Sequence, residues 1–191
     1  MTILKELRLI DQLPDSITFA GNGEPTLHPH FPEILNDVVW LRNKYSPGSR
    51  VSVFTNGTML NRKEIVEALK KADQRIVKLD AGTQQEFIQI DQPIIKRSIE
   101  WIRDHIKYFD SKVTIQSLFL RGYYKGKYID NTKPASINAW LEYINDIKPE
   151  LVMIYSIDRP TAAPSIQKVE KDALDEIAEK VEELGIRTQV N

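Results

Sequence analysis

The sequence predicts an α/β fold built on parallel strands, and three observations predict it. Short apolar runs alternate with longer stretches of helical period along the whole chain. Most of the apolar runs are hydrophobic at consecutive positions, as in strands with a helix layer on one face and a core on the other. Five of them end in a polar or glycine-containing segment: "AGNGEP", "FTNGT", "KLDAGT", "SLFLRG" and "YSIDRP". In parallel α/β folds functional groups gather at the carboxyl ends of strands. Five such ends therefore imply a shared polar rim at the mouth of an open or closed barrel.

The elements follow in order. Ile3–Ile10 is charged and helical in period, unlike a leader peptide. Ser16–Ala20 is the first strand and Phe31–Tyr45 the helix after it. Arg50–Thr55 is the second strand, and Arg62–Lys70 a helix that Asn61 can cap, with Glu64 at capping-box spacing. Arg75–Asp80, Lys112–Leu120, Glu150–Ser156 and Ile186–Val190 read as further strands, and Ile94–Tyr108, Pro134–Ile147 and Lys168–Leu184 as helices. Pro134 suits a first helical turn, and Gly185 sits just past a helix end. Strands alternating with helices imply right-handed βαβ crossovers. Residues 121 to 134, "RGYYKGKYIDNTKP", form the longest irregular piece. It reads as a solvated loop, a lid or a substrate loop, and its tyrosines and lysines also suit nucleic acid.

The totals narrow the function. The 191 residues suit one domain spanning 1–191. With 26 basic and 27 acidic residues the net charge is -1, so nothing global points to nucleic acid or an acidic membrane. No apolar run approaches the ~20 residues of a membrane span, and a cytoplasmic location is expected. The chain has no cysteine. That excludes disulfides, thiolate zinc sites and cysteine-ligated iron–sulfur clusters within it.

At the first strand end, Gly21 and Gly23 let a ligand approach the backbone, and the Gly21-Asn22-Gly23-Glu24 turn could form a small nest of NH groups. Glu24 could face a cation or be a solvated turn residue. Thr55 and Asn56 could meet a ligand or form a simple turn. Strand alternation puts Lys78 and Asp80 on one face, as a structural ion pair or as a ligand site. Gln116 and Ser117 are polar inside an apolar strand and need partners. Arg121 and Arg159 follow strand ends and could bind an anion or form surface pairs. His28 and His30, with His105, invite a metal reading, but they follow the turn and His105 falls in a helix. No metal ligand is assigned.

In their order, "GNGEPTLHP", "VFTNGT", "VKLDAG", "IQSLFLRG" and "IYSIDRP" resemble the radical S-adenosylmethionine (SAM) superfamily. The nearest resemblance is to its iron–sulfur oxidoreductase branch related to wyosine-type and activating enzymes. The resemblance covers nearly the whole chain. It implies a partial (β/α)6, TIM-barrel-like fold missing its first βα unit. It also implies S-adenosyl-L-methionine as cofactor, cleaved reductively by a 4Fe-4S cluster to a radical that abstracts hydrogen. Residue by residue, it implies that Gly21, Asn22, Gly23 and Glu24 hold the methionine ammonium. Lys78 and Asp80 would face the methionine carboxylate or ribose, and Gln116 and Ser117 the ribose side. Ile154 and Tyr155 would approach the adenine, and Thr55 and Asn56 would sit near the cofactor or substrate floor.

The departure from the family is the CxxxCxxC cluster loop, which this cysteine-free chain lacks. The expectation is an N-terminally truncated part of a radical enzyme, inactive alone, whose exposed sheet edge favours association. Two other readings stay open. One is a cluster-free module that binds a nucleotide or a partner; the other is a metal-dependent barrel hydrolase using His28 and His30. No catalytic residue is assigned, and no motif selects among small molecule, protein and RNA as substrate.

Overall fold

A computed structural model describes residues 2–21, 23–158 and 163–191. Six strands form one sheet in the order β1-β2-β3-β4-β7-β9: β1 (Ser16–Phe19), β2 (Arg50–Thr55), β3 (Gln74–Lys78), β4 (Thr114–Leu118), β7 (Leu151–Tyr155) and β9 (Thr188–Val190). The fold is thus the predicted α/β one, a partial barrel of parallel strands. The chain divides into two compact units, Met1–Ile76 and Val77–Asn191, where the sequence reads as one domain.

In the first unit β1 pairs parallel to β2 in the register Ser16↔Arg50 to Phe19↔Val53. The helices α1 (Thr2–Leu9), α2 (Phe31–Tyr45) and α3 (Lys63–Leu69) complete it. Phe31, Leu35, Val51, Val53, Ile65 and Leu69 are its buried core. Phe19 meets Phe31 edge-on, with ring centroids 6.0 Å apart. Asp73 locks the far end, accepting from Arg42 Nη1 at 2.6 Å and from Val51 N at 2.7 Å. The cap predicted for α3 is not Asn61. Arg62 takes the N-cap without a side-chain bond, and its Nε instead donates to Glu64 at 2.7 Å.

In the second unit β4, β7 and β9 are parallel, with Gln116↔Met153 and Leu118↔Tyr155 opposite one another. The helices are α4 (Gln84–Ile90), α5 (Ile99–Ile106), α6 (Pro134–Ile147) and α7 (Lys171–Glu182). The single helix predicted over Ile94–Tyr108 is shorter, and α4 precedes it. Thr83 caps α4 by accepting from Glu86 N at 3.3 Å, while its hydroxyl meets Glu86 Oε2 at 3.1 Å. The Thr-x-x-Glu spacing of "TQQE" carries this side-chain cap. Gly185, at φ +77°, ends α7 as predicted.

The segment 121 to 134 is not irregular. It forms a hairpin of β5 (Arg121–Tyr124) and β6 (Lys127–Asp130), turning at Lys125 and Gly126 with φ 48° and 76°. Two successive positive φ values suit the right-handed twist of a two-residue hairpin. The short strand β8 (Ile166–Gln167) adds to β5. A Cβ on Gly122 would lie 2.1 Å from Ser165 O, so only glycine lets these backbones meet.

Candidate functional site

Each unit gathers polar groups at the carboxyl ends of its strands. In the first, the chain leaves β1 through Gly21 and Gly23, both exposed and with open space where a Cβ would stand. It then enters a 3-10 turn, Pro25–Leu27, capped by Glu24. The Glu24 carboxylate is the hub. Oε1 accepts from Thr26 N at 3.0 Å, the Thr26 hydroxyl at 2.5 Å and the Thr55 hydroxyl at 2.7 Å, and Oε2 accepts from Asn56 N at 2.6 Å. Charge-assisted bonds of this kind are roughly twice as strong as neutral ones, so Glu24 joins the ends of β1 and β2. The Thr55 hydroxyl also accepts from Gly57 N at 3.1 Å, and Asn56 Oδ1 from Thr58 N at 3.0 Å. The structure thus brings Gly21, Gly23, Glu24, Thr55 and Asn56 to one edge. Oε2, with a single donor, keeps acceptor capacity. Asn22 and Arg159 lie outside the described residues.

In the second unit Lys78 sits between two carboxylates, 2.9 Å from Asp80 Oδ2 and 2.6 Å from Asp91 Oδ1. Alternation beyond the end of β3 does place Lys78 and Asp80 together. Asp91, at the end of α4, is the partner that sequence reading missed. The Asp80 side chain is fully buried. Its Oδ1 accepts from Leu118 N at 2.9 Å, while Oδ2 lacks an aligned hydrogen bond, as does buried Asp91 Oδ2. Burial pushes the Asp80 carboxyl up, Lys78 opposes this, and Asp91 adds to it. For Lys78 burial acts downward, but the attraction of both carboxylates prevails and raises its ammonium above the ordinary lysine range. The two shifts agree physically. Two carboxylates share one ammonium, so full ionisation leaves an excess negative charge that a proton on Asp80 relieves.

The open face of the strands carries Gln116 and Tyr155, both half-buried. Burial, followed by the charge of Asp80, pushes the Tyr155 phenol up to about 12. Ser117 and Ile154 lie on the face opposite Gln116 and Tyr155. Adjacent residues of a strand point to opposite faces, so Gln116 and Ser117 cannot both present side chains to one ligand, nor can Ile154 and Tyr155. Ser117 is buried on the other face, donating to Leu79 O at 2.6 Å and accepting from Trp140 Nε1 at 3.1 Å. Ile154 is fully buried.

Asn131, unremarked in the sequence, is the main polar tie of this unit. Its Nδ2 donates to Asp80 O at 2.9 Å and Leu118 O at 2.7 Å, and its Oδ1 accepts from Leu120 N at 2.8 Å. One amide thereby closes the ends of β3 and β4, as a backbone segment would.

The histidines do not converge. His28 and His30 ring centroids are 6.1 Å apart, and His105 Nδ1 lies 2.7 Å from Trp101 O within α5. Among the described residues no three His, Cys, Asp or Glu side chains are placed to hold a metal ion. Among them, too, no helix is long and apolar enough to cross a membrane.

The profile of the radical SAM superfamily matches residues 2–126. A UPF0026 protein of Synechocystis sp. is 32% identical over 158 residues, which are 81% of this chain and 53% of the relative, so the chain spans about half that protein's length. The fold is similar to that of a domain of pyruvate-formate lyase-activating enzyme from Bacteroides vulgatus, with TM-score 0.67 and 18% identity, covering 93% of this chain and 99% of that one. It is also similar to Streptococcus suis SuiB solved with S-adenosylmethionine, with TM-score 0.69 and 17% identity, covering all of this chain and 42% of SuiB.

Proposed function

This chain belongs to the radical SAM superfamily, and from that premise we propose that it binds S-adenosyl-L-methionine but does not by itself cleave the cofactor reductively. The observation that carries the reading is the Glu24 clamp: a carboxylate anchored by four donors, beside two glycines whose backbone is open to a ligand. Such an edge is built to receive an ammonium group. The carboxylate is held in place before binding, and Oε2, with a single donor, is left to accept.

In the second unit the Lys78 ammonium is taken up by Asp80 and Asp91, whose Oδ2 atoms are buried, so no ligand contact is assigned to this cluster. SAM supplies, when reduced, a 5'-deoxyadenosyl radical. The chain's own residues bind and orient, and none is assigned to the chemistry.

The 4Fe-4S cluster of the family does not fit. Its ligands are thiolates, the chain has no cysteine, and among the described residues no three-ligand group replaces them. No step through a cluster is therefore derived. Association through the outer side of β1, at one end of the sheet order, belongs to the same reading.

Calorimetric titration of the folded chain with SAM tests the proposal. Saturable binding that weakens at least about tenfold in Glu24→Ala is expected, a difference of roughly 1.4 kcal/mol. No heat up to about 1 mM SAM, where binding would be worth only ~4 kcal/mol, would overturn it. Iron reconstitution that yields a stoichiometric cluster would overturn the cluster-free part.

A further inference from the structure

The connection between α4 and α5 holds a cleft that the proposed cofactor residues do not use. Its volume is about 600 Å³, and Gln84, Ile88, Gln92, Pro93, Lys96 and Arg97 line it. Small-molecule sites have volumes of roughly 300–1,000 Å³.

The charge of this cleft is uncompensated. Lys96 and Arg97 are adjacent cations, and among the described residues neither has a carboxylate within ion-pair distance. The acids nearest in sequence are engaged elsewhere. Glu86 accepts from the Ser136 hydroxyl, Asp91 pairs with Lys78 at 2.6 Å, and Glu100 accepts from the Tyr143 hydroxyl at 3.3 Å.

Arg97 is also held in place. Its guanidinium lies 4.4 Å from the Trp101 ring centroid, and Trp101 stacks on His105 with centroids 3.7 Å apart. Its Nε is buried and has no hydrogen-bond partner. A stacked, immobilised guanidinium gives up little freedom when an oxyanion meets its planar fork. Ile88, half of whose surface is exposed, and Pro93 supply an apolar wall beside it.

We propose that this cleft binds a small molecule bearing a phosphate or carboxylate on a flat apolar body. The oxyanion meets Lys96 and Arg97, and the body lies on Ile88 and Pro93. The site is independent of the SAM reading and stands or falls without it.

The test is a two-dimensional amide NMR titration of the full chain with phenyl phosphate, benzoate, inorganic phosphate and phenol. Phenyl phosphate or benzoate should give saturable shifts confined to residues 84–98, and whichever binds more tightly identifies the oxyanion. Inorganic phosphate and phenol should each bind at least tenfold more weakly, since each lacks half of the ligand. Lys96→Gln/Arg97→Gln, checked for an unchanged spectrum elsewhere, should weaken binding at least tenfold. Arg97→Lys should recover only part of it. Shifts scattered over the surface, shifts unaffected by the double substitution, or no saturation with either aromatic anion would each overturn the proposal. Loss of SAM binding in Glu24→Ala leaves these outcomes unchanged, so the two readings fail separately.

Discussion

Replacing Asn131 by alanine should destabilise the second unit by about 3 kcal/mol, at roughly 1 kcal/mol for each hydrogen bond removed. The side chain is 3% exposed, so water does not substitute for it. Its loss strands Asp80 O, Leu118 O and Leu120 N, which it binds at 2.9, 2.7 and 2.8 Å. Net values of about 0.5–1.5 kcal/mol per bond bracket the sum at roughly 1.5–4.5 kcal/mol, and a buried unpaired NH moves it upward. For a chain of this size the midpoint of thermal unfolding should fall by about 6–12 °C. Equilibrium urea unfolding, followed by tryptophan fluorescence, measures the change, because Trp140 donates to Leu79 O beside the same strand ends. Asn131→Asp should cost more than alanine. It keeps the acceptor for Leu120 N but turns an anionic oxygen toward two carbonyls. A loss below about 1 kcal/mol for alanine, within the range of an ordinary surface substitution, would refute the clamp.

Three further perturbations follow from the same geometry. The folded Asp80 carboxyl is raised above its ordinary 3.8, chiefly by burial. Its contribution to stability is therefore full below about pH 4 and declines as pH rises toward neutrality, because ionisation is penalised in the fold. Asp80→Asn keeps an acceptor for Leu118 N and removes that decline. Its stability relative to the parent should rise between about pH 4 and 7 in urea titrations, and a flat difference would refute the assignment. Gly82→Ala would drive a Cβ to 2.1 Å from Trp140 N, against helix backbone that cannot rotate away. A loss of about 1–3 kcal/mol or failure to fold is expected, and calorimetry showing an unchanged midpoint would contradict it. Thr55→Val removes a charge-assisted donor to Glu24 at 2.7 Å and a partner of Gly57 N. It should cost about 2 kcal/mol by chemical denaturation and weaken SAM binding with it. Wild-type stability and affinity would show that Thr55 does not hold the clamp.

Much of the frame was legible because local periodicity encodes it. Helices α2 and α6 and strand β2 fall on the predicted boundaries, where apolar spacing and a proline at the first turn act over a few residues. The hairpin of β5 and β6 was not legible. Its strands are short and rich in tyrosine and lysine, and it turns through Lys125-Gly126 without an Asn-Gly or Asp-Gly signal. The helix α4 was missed although Thr83 and Glu86 announce it, because only seven residues separate the cap from the Asp91-Gln92-Pro93 break.

The sequence by itself determined the alternation of strands and helices, the polar strand ends, and the absence of thiolates. Each is a property of residues near one another in the chain. Tertiary structure decided what those polar ends do. Glu24 reaches Thr55 and Asn56 across more than thirty positions, and Lys78 finds Asp91 through the turn of α4. Asn131 returns on a hairpin to close β3 and β4. Only packing decided that Ser117 is buried against Trp140 while Gln116, on the other face, is half-buried. The physical reason is that a buried polar group must be paired, and its partner is chosen by proximity in space, which no spacing along the chain records.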